Sequence, residues 1–266
     1  MVECNLAKVE VAGSNPVSRS KAEAYASAFF LFEAEPMIDG TEKELDNKGH
    51  RPALRFVRLM LQPSQIHKRL YWVLGPSRPE FSGFKSMAKQ VSEACGGSGV
   101  VWVTCPYEGR GCSVTAMNLA GALAQQTQTT LVDLRFGRPA VAPMLGAVAN
   151  HGLQFALDKI RQPETEAIPI QLVAPRLGIV SLKPDTSEEV VLESEFSSFI
   201  EVMRDGNDFV VLDGPPIIPF VHRDAIARHV DIVFMVCRPE DVQDGVYEMA
   251  SELVGSRPLI GSIVSK

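Results

Sequence analysis

The chain has 266 residues, of which 45% are hydrophobic and 22% charged, with a formal net charge of −6. That length can bury a full core and the composition is that of a soluble globular protein, whereas the acidic balance argues against nucleic-acid binding, which leaves a basic imprint. Five cysteines (Cys4, Cys95, Cys105, Cys112 and Cys237) show no paired spacing, which excludes a disulfide framework and fits a cytoplasmic protein.

No basic patch followed by an apolar core opens the chain, so no secretory leader is expected. The apolar run at 24–32 is far shorter than the ~20 residues a membrane helix needs, so membrane contact is expected only through a partner. Residues 1–68 read as an N-terminal extension, partly disordered or helical. Within it a helix is expected over 18–35, a polar linker over 39–50 and a short helix over 52–61.

From residue 70 the texture changes. Apolar strand-like runs stand at 70–74, 100–105, 129–133, 170–174, 178–182, 208–213, 231–237 and 259–264. Helical patterns separate many of them, at 83–94, 113–126, 151–159, 193–204, 222–229 and 241–253. Continuous apolar strands joined by helical crossovers imply an α/β fold: a mostly parallel sheet with helices on both faces, three layers in all. This domain is assigned to 69–266, and the acidic stretch 184–193 reads as an exposed connection within it.

The run Val100-Val101-Trp102-Val103-Thr104-Cys105 reads as a buried strand and leads into Pro106-Tyr107-Glu108-Gly109-Arg110-Gly111-Cys112-Ser113, then into a helical pattern from Val114. Strand, glycine loop and helix in this order make a phosphate cradle, because backbone N–H groups converge at the helix N-terminus. The P-loop motif requires Gly-Lys-Ser/Thr at its end, and here the residues are Gly111-Cys112-Ser113. The cradle is written; its cation is not. Gly109, Arg110, Gly111, Cys112, Ser113 and Val114 are the candidate nucleotide-binding residues.

Further pieces follow in order: Leu131-Val132-Asp133-Leu134-Arg135-Phe136-Gly137-Arg138-Pro139, then Met144-Leu145-Gly146, His151-Gly152-Leu153, Leu212-Asp213-Gly214-Pro215-Pro216 and Arg223-Asp224-Ala225. With the glycine loop they resemble the bacterial tyrosine autokinases of capsule and exopolysaccharide synthesis, which belong to the MinD/ParA-like branch of P-loop NTPases. The resemblance runs from about Phe84 onward and implies ATP or ADP with Mg²⁺ as ligands, with Ser113, Asp133 and Asp213 as metal-binding positions. It also implies a role for Asn118 on the helix after the loop.

Four departures bear on chemistry and assembly. Cys112 replaces the phosphate-binding lysine, and Arg135 stands where the family has the second acid of an Asp-x-Asp pair. The four tyrosines (Tyr25, Tyr71, Tyr107 and Tyr247) form no C-terminal acceptor cluster, and Lys85 alone remains of the charged pattern on the family's activating helix. The resemblance therefore implies a degenerate member with no catalytic residues: a cytoplasmic regulatory or scaffolding subunit. Its partner would be a membrane polysaccharide co-polymerase or export protein, or an active kinase paralogue, with homo-oligomers also open. The alternative is a slow ATPase or tyrosine kinase acting on a partner, with Arg110 or a partner-supplied base taking over the missing roles, although flanking glycines favour an outward, solvated Arg110. A MinD-like positioning role is the third reading. At Cys112 the alternatives are a reactive thiol or a decayed site. For Arg135 and Arg138 they are anion binding or ion pairing with Asp133 and its neighbours.

Overall fold

Eight short segments pair into one sheet: β1 (Ala53–Arg58), β2 (Gly99–Thr104), β3 (Thr129–Asp133), β4 (Ala167–Ala174), β5 (Leu177–Val180), β6 (Phe209–Asp213), β7 (Ile232–Cys237) and β8 (Leu259–Val264). The computed structural model describes residues 53–58, 66–71, 79–146, 152–161, 167–192, 194–255 and 259–264, and the expected helix over 18–35 and the linker after it lie outside these. The strand order is β1-β4-β5-β3-β6-β2-β7-β8. From β5 to β8 every neighbouring pair is parallel. At the other edge β4 runs antiparallel to β5 and carries β1 parallel to itself.

The helices are α1 (Pro79–Ala94), α2 (Cys112–Leu123), α3 (Val141–Leu145), α4 (Leu153–Ile160), α5 (Ser194–Gly206), α6 (Arg223–Ala227), α7 (Pro239–Gln243) and α8 (Val246–Val254). Every residue of β2, β3, β6 and β7 is buried. This is why those strands read as unbroken apolar runs: both pleat faces need cover. Val101, Val103, Leu131 and Val211 face one core with Phe81, Met87 and Met117 of α1 and α2. Val100, Trp102, Val132 and Leu212 face the second core with Phe196, Phe199 and Met203 of α5. Each fully buried Phe or Met side chain contributes ~1.5–3 kcal/mol through the water it leaves. Among the described residues no helix is long and apolar enough to cross a membrane.

Several expectations change. Residues 53–58 of the expected 52–61 helix form a strand in register with β4, Ala53 against Ala167 through Arg58 against Leu172. Pairing to an exposed sheet edge overrides a short helical pattern. Of the strand expected over 70–74, Leu70 is irregular and Tyr71 is in helical conformation, and the remainder lies outside the described residues. The 184–193 connection contains a 3-10 helix, Glu188–Leu192, with Val190 and Val191 buried. The helix expected over 241–253 is two helices, α7 and α8, separated at Gly245, whose φ of 72° lies in the left-handed region.

Candidate nucleotide-binding site

The sheet brings three chain segments to one end. β2 lies between β6 and β7, and β3 lies on the far side of β6. Register puts Val103 beside Asp213 and Asp213 beside Asp133. The loop after β2, the turn after β3 and the Gly214-Pro215-Pro216 turn after β6 therefore converge at the C-terminal ends of the strands. Open α/β sheets place ligands there.

The loop bends through Gly109 (φ 77°) and Gly111 (φ 82°), left-handed conformations that glycine adopts without steric cost. Gly111 is the N-cap of α2, and no side chain caps the helix. The first turn of α2 holds no acidic residue. The N–H groups of Cys112, Ser113 and Val114 find no acceptor among the described residues, as expected of the orphan donors at a helix start. They supply the positive end of the cradle.

Cys112 takes no part in that cradle through its side chain. It is 3% exposed, and its thiol donates to the Val103 carbonyl at 3.4 Å and approaches that of Gly214 at 3.9 Å. Interaction with the Cys105 side chain and then burial push the thiol well above its ordinary pKa. A reactive thiol at a helix N-terminus requires the opposite shift, so the reactive reading of Cys112 fails.

Asp133 is fully buried and already occupied. It accepts the N–H of Arg135 at 3.0 Å, of Ala140 at 2.8 Å and of Val141 at 2.9 Å, fixing the turn into α3. Burial raises its pKa, and these backbone donors draw it back. Asp213 differs. It too is fully buried, yet neither carboxylate oxygen has a hydrogen-bond partner. Burial first, then the Asp133 charge, lift its pKa to about 7, while the facing Ser113, Arg135 and Cys112 side chains pull the other way.

The arginines fall into two groups. Arg110 is not outward and solvated: its guanidinium grips Asp241 of α7 at 2.6 and 2.8 Å. Asp241 is 3% exposed and also accepts the Arg238 N–H at 2.8 Å. A buried carboxylate holds the arginine more strongly than water does, which corrects the expectation from its flanking glycines. Arg238 donates to the Gly109 carbonyl at 2.7 Å, and Arg138 pairs with Glu108 at 2.8 Å. Arg138 thus forms an ion pair, though not with Asp133. Arg135 reaches Asp133 only through its backbone N–H; its guanidinium makes no hydrogen bond or ion pair among the described residues.

Asp241 and Arg238 are site-framing residues that sequence reasoning missed. The signal was Pro239 at the first turn of a helix with Asp241 at N3, a capping-box arrangement. Asn118 ties α2 to the preceding segment: it accepts the Tyr71 N–H and donates to the Arg69 carbonyl, each at 2.8 Å. Removing the Arg110 side chain is expected to cost ~1.5–3 kcal/mol, the range for a hydrogen bond to a charged group. Urea unfolding of Arg110→Ala checks this, and an unchanged midpoint contradicts the Asp241 anchor.

The resemblance of the motifs implies a nucleotide taken with Mg²⁺. Here two of the three expected donors could hold that ion. Asp133 spends its oxygens on backbone groups, which leaves one carboxylate, Asp213, and the Ser113 hydroxyl. The Arg135 charge acts on that same carboxylate. Mg²⁺ is commonly held by one or two carboxylates plus phosphates, so Asp213 and the Ser113 hydroxyl would hold it and Asp133 would not. Among the described residues no group of three His, Cys, Asp or Glu side chains is arranged to hold a metal.

No family model matches the chain. The sequence is 26% identical over 182 residues to the putative tyrosine-protein kinase EpsB of Ralstonia nicotianae, covering 65% of this chain and 24% of that protein. The chain thus spans about a quarter of that relative's length. The chimerical protein CapA2B2 superposes with a TM-score of 0.65 at 19% identity, over 80% of this chain and 93% of its own. The BceF tyrosine kinase domain superposes with a TM-score of 0.61 at 20% identity, over 74% of this chain and 83% of its own. The sequence match is thus to a putative tyrosine-protein kinase, and the two superposed structures show a fold shared with this chain.

Proposed function

We propose that this chain is a non-catalytic member of the bacterial tyrosine-autokinase family of P-loop proteins, acting as a cytoplasmic regulatory or scaffolding subunit in exopolysaccharide or capsule assembly and export. The observation that carries the reading is the buried thiol at the position of the loop lysine, turned toward Val103 and Gly214. A neutral, buried Sγ offers no charge to a phosphate. Loss of one preorganised donor to developing transition-state charge lowers rates ~10²–10³-fold. Arg135 in place of the second acid adds to this, since the expected metal neighbourhood gains positive charge.

The partner would be the cytoplasmic end of a membrane-embedded co-polymerase or export protein, or an active kinase paralogue whose assembly this chain modulates. Any membrane association would come through that partner. The alternative of a slow ATPase or tyrosine kinase would need a partner-supplied base, since Arg110 is committed to Asp241. The test is phosphate release from ATP with Mg²⁺ by the purified chain. No release above the protein-free rate is expected. Turnover that disappears in both Ser113→Ala and Asp213→Asn would sink the proposal.

A further inference from the structure

The glycine loop turns on residues that give it no stiffness of their own. Gly109 and Gly111 both lie in the left-handed region, at φ 77° and 82°, and glycine loses more backbone freedom on ordering than any other residue. Between these two hinges stands one residue with a long side chain, Arg110. Its guanidinium meets both oxygens of the Asp241 carboxylate, at 2.6 and 2.8 Å. A planar fork matched to two oxygens fixes direction as well as distance.

Asp241 is a firm anchor. It is 3% exposed and also accepts the Arg238 N–H at 2.8 Å, which ties it to the start of α7. The Arg110 hydrogen bonds hold its carboxyl below the ordinary range. A second tie comes from the same place: the Arg238 side chain crosses from the end of β7 and donates to the Gly109 carbonyl at 2.7 Å. The peptide unit is planar, so a fixed carbonyl at 109 also fixes the direction of the N–H of residue 110. The two ties grip adjacent links of the loop, one through backbone and one through a side chain, and both come from residues 238–241. The exposed pair of Arg138 with Glu108 adds little to them.

We propose that residues 238–241 are a latch on the glycine loop: they hold residues 109–111 in one conformation through the chain's own side chains, and the loop opens when Arg110 and Asp241 part. The device places control of the loop at the start of α7, where Asp241 is flanked by the exposed Glu240 and Val242. The latch does not depend on whether the chain turns over ATP, so it and the proposed function can fail separately.

Trypsin reads the latch directly, because it cuts after arginine and needs both that side chain and the surrounding backbone released. The full chain is digested under native conditions in EDTA, with no nucleotide added. Cleavage after Arg110 is followed by mass spectrometry against cleavage after the exposed Arg176, in the turn between β4 and β5. When reclosing is fast, the cleavage rate tracks the population of the opened loop. Asp241→Asn is expected to speed cleavage after Arg110, relative to that after Arg176, by about tenfold to a hundredfold, the range for hydrogen bonding to a charged group. Arg238→Ala frees only the Gly109 carbonyl and should speed it by about twofold to tenfold; it leaves the buried pair in place and serves if Asp241→Asn does not fold. Unchanged cleavage after Arg110 in both variants overturns the latch, as does parent cleavage there at the rate of a free peptide. An equal rise at both sites also overturns it, since the pair would then support the whole fold and not the loop.

Discussion

Gly214→Ala is expected to be the most damaging single substitution near the site. A Cβ on Gly214 would overlap Nε1 of the Trp102 indole and stand 2.6 Å from its Cδ1 and 2.9 Å from its Cε2. Neither group can retreat. Trp102 is fully buried in the middle of the sheet, where it pairs in register with Leu212 and with Val233. Gly214 is held by its N–H to the Val103 carbonyl at 2.9 Å. Overpacking of a well-filled core costs ~1–3 kcal/mol and occasionally more. An overlap with a rigid ring, rather than the end of a flexible chain, belongs at or beyond the top of that range. For a domain of this size each kcal/mol lowers the melting midpoint by ~2–4 °C, so a calorimetric scan should show a fall of about 6 °C or more. A midpoint within about 2 °C of the parent contradicts the packing described.

Asp213→Asn is expected to stabilise the protein at alkaline pH, a result that runs against the usual effect of mutating a site residue. The carboxyl sits at about 7 instead of its ordinary 3.8, because burial and then Asp133 oppose its ionisation. Between those values the folded chain retains a proton that the unfolded chain has released. The contribution of this group to stability is therefore full below about pH 4 and declines as pH rises through 7. At ~1.36 kcal/mol per pH unit of displacement, the ionised form costs the fold roughly 4 kcal/mol above that window. Asparagine keeps the shape and discards the charge. Urea unfolding in EDTA should find the variant more stable than the parent at pH 8 and the two closer at pH 5. A variant less stable at pH 8 would mean that Arg135 and Ser113 fully compensate the carboxylate.

Much of the architecture was legible because its causes are local. Continuous Val, Leu and Ile runs between helical patterns encode a two-faced parallel sheet, and Gly109-Arg110-Gly111 before Ser113 encodes the turn into α2. What escaped depends on residues distant in sequence. Arg110 and Asp241 are 131 residues apart, and nothing near Arg110 announces a buried acid. The identity of β1 depends on an edge supplied by β4 more than 100 positions later, so the local pattern at 52–61 was indecisive. The direction taken by Cys112 was hidden too, since only the paired ends of β2 and β6 create the carbonyl slot that its thiol enters.

The chemical reading follows from which groups are occupied. Asp133 was an expected metal position, yet three backbone donors use its oxygens. Arg135 was left between anion binding and ion pairing by the sequence, and it meets Asp133 through its backbone N–H. What remains at the strand ends is a phosphate-shaped loop, one unpartnered carboxylate and one uncommitted guanidinium.

The claim that this loop has lost phosphoryl transfer is tested most directly by a single-turnover reaction, with excess purified chain, Mg²⁺ and γ-labelled ATP, quenched over hours. The account predicts that all label stays in ATP, with none in free phosphate or on tyrosine beyond a protein-free control. Label leaving ATP in the parent chain, but remaining there when Ser113 is changed to alanine, would contradict it.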